Sequence, residues 1–196
     1  MSSSSSDCTS CASTLPDKVL SRARSTTENP PSAMRSPEPS LICACIDIGS
    51  NTTRLLVADA GDGELRELVT QRAFTRIGRS MRNGGQIPQE KIDETAEVVR
   101  TQVAVANELG AEQIVAVATA AIRNAPNREK LVEAVEEAGG TELSVLTGEE
   151  EARLSFVGAT RTLLRPVEGA VAVIDVGGGS SEIAIGEPGG RMEWSE

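Results

Sequence analysis

Two short stretches hold the residues best suited to chemistry. CIDIGSNTTRLLV (45–57) lines up with VIDVGGGSSEIAI (173–185). Asp47 falls over Asp175 and Gly49 over Gly177; the positions that differ in kind are Ser50 and Asn51 against Gly178 and Gly179, and Arg54 against Glu182. A turn of Gly and small hydroxyl residues has no bulky Cβ substituents, so several backbone N–H groups converge on an anion while hydroxyls add donors. Gly49, Ser50 and Asn51 in one copy, and Gly177, Gly178, Gly179 and Ser180 in the other, are therefore candidate phosphate cradles. An ionised Asp at the end of the preceding strand accepts hydrogen bonds only and suits a hydrated divalent cation. One copy alone also reads as an ordinary hairpin. A hairpin needs no Asp at its strand end, however, and repetition in this detail implies a duplicated unit, with two lobes facing each other across a cleft.

A third cluster is Glu149, Glu150 and Glu151. Three acids in a helix's first turn complement its dipole, so the stretch reads either as a charged N-terminus or as the seat of a base. The chain contains no His, which removes His-based triads and imidazole zinc sites and leaves proton transfer to carboxylates. Attack by water on a phosphoryl group needs such a base. Arg72, Arg76, Arg79 and Arg82 form a basic run with no acid between Leu68 and Gln89. It reads either as a solvated loop or as a local surface that admits a polyanion.

The elements that must position these groups follow from patterning. LICACIDIG (41–49), TTRLLVAD (52–59) and ELRELVTQ (64–71) read as a three-stranded meander with a turn at AGDG (60–63). Residues 88–110 place Ile92, Ala96, Val99, Val103 and Ala106 at helical spacing, with Pro88 before and Gly110 as the stop. QIVAVAT (113–119) reads as a buried strand, 126–140 as a helix ending in a Gly pair, 142–146 as a short strand and 147–164 as a helix. The fold class is α/β: a ribonuclease-H-like lobe of order βββαβαβα with a mixed sheet over 41–165, then the start of a second similar lobe over 166–196. Residues 1–40, rich in Ser, Thr and Pro, are expected to be a disordered leader.

The bulk composition is consistent with this organisation. The 196 residues are 39% hydrophobic and 24% charged, enough for one sizeable core and part of another. A net charge of −10 argues against binding double-stranded nucleic acid, which needs clustered basic residues. No stretch is long and apolar enough for a membrane span, and the start lacks the layout of a secretory signal, so the expected location is cytoplasmic. Cys8 and Cys11 have redox or zinc spacing without the surrounding strand and helix; Cys43 and Cys45, on one face of a strand, read as small core residues.

IDIGSNTTRLLVAD, ATAAIRNAPN, VLTGEEEARLSFVGA and VIDVGGGSSEIAIG together resemble the motifs of exopolyphosphatases and guanosine-pentaphosphate phosphatases, members of the actin, sugar-kinase and heat-shock-ATPase fold superfamily. The resemblance runs from about Ile46 onward, with four motifs in order. It implies a phosphohydrolase that releases terminal phosphate from inorganic polyphosphate or guanosine pentaphosphate, with Mg²⁺ as cofactor and a homodimer as the assembly. By the same resemblance Glu151 is the base and Glu150 its neighbour, Arg54 and Arg123 hold phosphate, and Asp175 and Glu182, with Asp47, hold metal and water. The competing reading is a nucleotide-dependent switch or alarmone sensor of the same superfamily that does not hydrolyse. Only 21 residues follow Asp175 (196 minus 175), so the second lobe is expected to be barely begun and these residues alone to be inactive. Its hairpin is expected to expose apolar surface, borrow cover from the 148–163 helix or pair with another chain.

Overall fold

The computed structural model describes residues 41–61, 65–81, 85–163, 165–189 and 192–195. The expected leader with Cys8 and Cys11, the 62–64 part of the second meander turn, Arg82 and Gly84 lie outside the described residues.

The meander forms as expected. Strands β1 (Ile42–Ile48), β2 (Thr53–Asp59) and β3 (Arg66–Ala73) pair antiparallel. β4 (Gln113–Ala118) joins β1 in parallel, and β5 (Leu143–Val145) joins β4, giving the mixed order β3-β2-β1-β4-β5. Alternation explains the register: Ala44, Ile46 and Ile48 of β1 and Leu55 and Val57 of β2 point to one side and are buried. That side is covered by α2 (Gln89–Glu108) and α4 (Arg128–Gly139), which pack on each other and share one core with the sheet. The helix α2 buries the expected Ile92, Ala96, Val99, Val103 and Ala106, and also Thr95 and Gln102. Each large side chain sealed here stabilises by about 1.5–3 kcal/mol. Gly110 (φ 80°) and Gly140 (φ 63°) occupy the left-handed region just beyond the two helices, where a side chain would be strained.

Two one-turn helices were not legible in the sequence: α1 (Ile77–Ser80) and α3 (Ala120–Arg123). Both hang beneath the cleft ends of strands. Asn127, expected to cap a helix, instead clamps the chain before α2: Ile87 N donates to its Oδ1 (2.8 Å) and its Nδ2 donates to Ile87 O (3.0 Å).

The core assignment of Cys43 and Cys45 is corrected: Cys43 is half-buried and Cys45 exposed. They alternate with Ala44, Ile46 and Ile48 and so lie on the opposite face, which α2 and α4 do not cover.

The last helix, α5 (Gly148–Arg161), runs to a second antiparallel sheet of β6 (Val171–Val176), β7 (Ser181–Gly186) and β8 (Met192–Ser195), in that order. Its buried Ala152 and Phe156 pack with Ala184, Val171, Val173 and Met192. A division near residue 165 thus separates α5 from the sheet it covers. Two of the expected fates of the second hairpin coexist: α5 covers one face, while Ile174 (65% exposed) and Val176 (74%) lie open on the other. No helix among the described residues is long and apolar enough to cross a membrane.

Candidate active site

The two repeated turns are built alike. Gly49 N donates to Thr52 O (2.9 Å), and Gly177 N donates to Ser180 O (3.0 Å). In both, the strand register sets the same two positions side by side: Asp47 opposite Arg54, and Asp175 opposite Glu182. The turns then meet. A Cβ on Gly179 would sit 2.7 Å from Ser50 Oγ, and one on Gly178 would sit 3.2 Å from Ser50 Cβ. Ser50 in the first copy therefore requires glycines in the second, which accounts for the mismatch in the sequence repeat. Between the turns is an open pocket of about 550 Å³ lined by Ser50, Asn51, Gly78, Arg79, Gly177 and Gly178, among others.

Carboxylates and one arginine gather beside the turns. Arg123 Nη1, at the end of α3, donates to Leu146 O (2.7 Å) and to Glu151 Oε2 (2.9 Å), while its Nη2 lies 3.9 Å from Glu182 Oε1. Glu182 is buried (5% exposed). Burial pushes the Glu151 carboxyl above the ordinary glutamate range; the bond from Arg123 pulls it down, and the charges of Glu182 and Asp175 push it up. Asp47 is raised by burial, lowered by Arg54 and raised by Asp175. Asp175 thus acts on both Asp47 and Glu151, so acids from β1, α5 and β6 share one locus. Asp175 Oδ2 in turn accepts from Ser155 Oγ.

Asp47 Oδ1 is buried with no hydrogen-bond partner. A buried acceptor left unsatisfied is costly, and a cation or its bound water is the complement it lacks. Among the described residues no three Asp, Glu or Cys side chains form a ready cation cage. Hard oxygen donors around Asp47, Asp175 and Glu182 nonetheless fit a small divalent ion that keeps several waters and takes one or two carboxylates.

Most of the residues singled out in the sequence are brought together: Asp47, Gly49, Ser50, Asn51, Arg123, Glu151, Asp175, Gly177, Gly178, Gly179 and Glu182 all line or adjoin the meeting of the two turns. Ser180 contributes its carbonyl to the turn, and Arg54 is exposed beside Asp47. Glu150 is not brought to the cluster. Its Oε2 accepts from Thr147 N (2.8 Å) and Thr147 Oγ1 (3.0 Å), and Glu150 N donates back to Thr147 Oγ1 (3.2 Å), a capping box that starts α5. The sequence reading missed Ser155. Its signal was a spacing of four from Glu151, which puts both on one helix face.

Residues 56–192 match the Ppx/GppA phosphatase family, and the chain belongs to that family. An uncharacterized protein of Streptomyces coelicolor is 38% identical over 147 residues, 75% of this chain and 43% of that one. Exopolyphosphatase 1 of Mycobacterium tuberculosis is 33% identical over 142 residues, 72% of this chain and 41% of that one. The solved PPX-GPPA enzyme of Aquifex aeolicus superposes with a TM-score of 0.73 at 33% identity, over 81% of this chain and 52% of that one. The chain thus spans about half or less of the length of these relatives.

Proposed function

We propose that the complete protein is a phosphohydrolase that removes the terminal phosphate of inorganic polyphosphate, with the 5' end of guanosine pentaphosphate as a second substrate of the same chemistry. The observation that carries this reading is Glu151: a half-desolvated carboxylate, held at one oxygen by Arg123, facing acids of the second lobe beside two glycine-rich turns.

The terminal phosphate sits between the turns, where backbone N–H groups and the Ser50 and Ser180 hydroxyls receive its oxygens. Arg54 and Arg123 add charge. Arg123 occupies Oε2 of Glu151, leaving Oε1 to orient the attacking water and take its proton. The raised affinity of Glu151 for a proton makes it a better base than an exposed glutamate, and Arg123 keeps enough of it ionised to act. Asp47, Asp175 and Glu182 would hold Mg²⁺, which when bound neutralises charge on the phosphoryl oxygens. Ser155 fixes the Asp175 carboxylate for that task.

The test is phosphate release by the full-length protein on long polyphosphate and on guanosine pentaphosphate, with and without Mg²⁺. Glu151→Gln keeps shape and most hydrogen bonding but removes the base, so turnover is expected to fall roughly a hundredfold or more while substrate still binds. Unchanged turnover in that variant would sink the reading.

A further inference from the structure

Arg76 is the non-glycine residue with a left-handed backbone among those described, at φ 54° and ψ 37°. Such a conformation persists where its surroundings over-determine it, and it concentrates at functional sites. Here the surroundings do so on four sides. Thr75 and Ile77 are fully buried, and Thr75 Oγ1 lies 3.1 Å from Thr53 Oγ1. Arg76 N donates to Asn51 O (3.1 Å), and Gly78 N donates to Ser50 O (2.8 Å). Gly78 is needed for this approach, because a Cβ there would sit 3.1 Å from Ser50 Cβ and 3.3 Å from Ser50 O. Residues 75–78 are therefore a rigid brace bolted to the first phosphate turn.

What the brace presents is Arg79. It lines the 550 Å³ pocket with Ser50, Asn51, Gly177 and Gly178. Arg76 lies over the Phe74 ring at 5.9 Å, whereas Arg79 has no carboxylate within ion-pair distance among the described residues. An unpaired guanidinium on a fixed mount, in a protein of net charge −10, is a local attractor for a polyanion. Arg123, Glu151 and Glu182 do not line this pocket, so the position is offset from the group that would deliver water.

Resting on the function proposed above, we infer that Arg79 binds a phosphate further along the substrate chain than the one that reacts, and so sets the preference for longer polyanions. It is a binding residue, and its removal weakens substrate capture without touching the chemical step. The experiment uses the full-length protein with long-chain polyphosphate and inorganic tripolyphosphate. Arg79→Gln is expected to raise KM for long-chain polyphosphate about tenfold, with kcat within about twofold of the parent. The salt dependence of KM should lose the equivalent of about one phosphate contact. Arg79→Lys should keep that salt dependence and restore part of the affinity. Arg66→Gln removes the same charge at the far end of β3, where Arg66 pairs with Asp59 at 3.2 Å, and should leave KM at the parent value. An unchanged KM and salt slope in Arg79→Gln, or a fall in kcat at constant KM, would overturn the inference. Direct titration of Glu151→Gln with long-chain polyphosphate, with and without Arg79→Gln, separates the two proposals. If the parent does not hydrolyse but Arg79→Gln weakens this binding tenfold, the hydrolytic reading falls and Arg79 stands; equal binding removes Arg79 whatever the activity.

Discussion

The two hairpins, β1–β2 and β6–β7, share a turn hydrogen bond, a strand register and an Asp at one position, yet they are buried on opposite faces. In the first, Ile46 and Ile48 are fully buried beneath α2 and α4, and the Cys45 face is open. In the second, the equivalent Ile174 and Val176 are open, and the face of Val173 and Ala184 is closed by α5. The charges opposite the shared Asp differ as well: Arg54 faces Asp47, and Glu182 faces Asp175. One backbone device thus serves two tasks. The first copy, with Arg54, Ser50 and Asn51, is equipped to hold an anion; the second, with only glycines in its turn and a second acid, is equipped to hold a cation and water.

The sharpest way to break this comparison is to neutralise each partner in turn in the full-length protein. Glu182→Gln should lower turnover roughly a hundredfold and raise the Mg²⁺ concentration needed for half activity, because it strips charge from the cation's surroundings. Asp175→Asn should behave in the same way. Arg54→Gln should instead raise KM about tenfold with a smaller change in turnover. Steady-state kinetics over an Mg²⁺ titration checks all three, and matching effects in the two hairpins would mean that the division of labour is wrong.

Packing offers the next test. Ile46→Ala should cost about 3 kcal/mol, since it empties a sealed position, whereas Ile174→Ala in the same 196 residues should change stability by less than about 0.5 kcal/mol. Urea unfolding measures both. Equal losses would show that the second hairpin is as well packed as the first.

A smaller effect is expected from Ser155→Ala. It removes the hydroxyl that orients Asp175 but leaves every charge in place, so the Mg²⁺ requirement should rise by about threefold to tenfold. Isothermal titration with Mg²⁺ would reveal the change, and unaltered affinity would reduce Ser155 to a packing residue.

The finest distinction concerns pH. The base acts when ionised, so activity should fall as pH drops through the Glu151 pKa, which lies above the usual glutamate value because of burial. Glu182→Gln removes a charge that raises it, so the acid limb of kcat/KM should move to lower pH. Arg123→Gln removes a partner that lowers it, so the limb should move to higher pH. Shifts in the reverse directions, read from pH–rate profiles, would show that a group other than Glu151 titrates.

Local order was written in the residues themselves. Alternation located the strands, helical spacing located α2 and its buried stripe, and Gly110 and Gly140 marked its stop and that of α4, because each of these features depends on near neighbours along the chain. The repeat announced both turns and both aspartates. Thr147 with Glu150 three residues on is a capping-box pattern, so the separation of Glu150 from Glu151 was legible too, although the acid triplet hid it. Other features were decided only by tertiary structure. Alternation puts Cys45 opposite Ile46, but which face receives the helices depends on α2 and α4. The amphipathic face of α5 was plain, but its choice of the second sheet depends on where Val173 and Ala184 come to lie. The proton affinity of Glu151 is set by Arg123, Asp175 and Glu182, residues 24 to 31 positions away in the sequence. Burial and Coulomb forces act through space, and only the folded chain determines which charges share a desolvated locus.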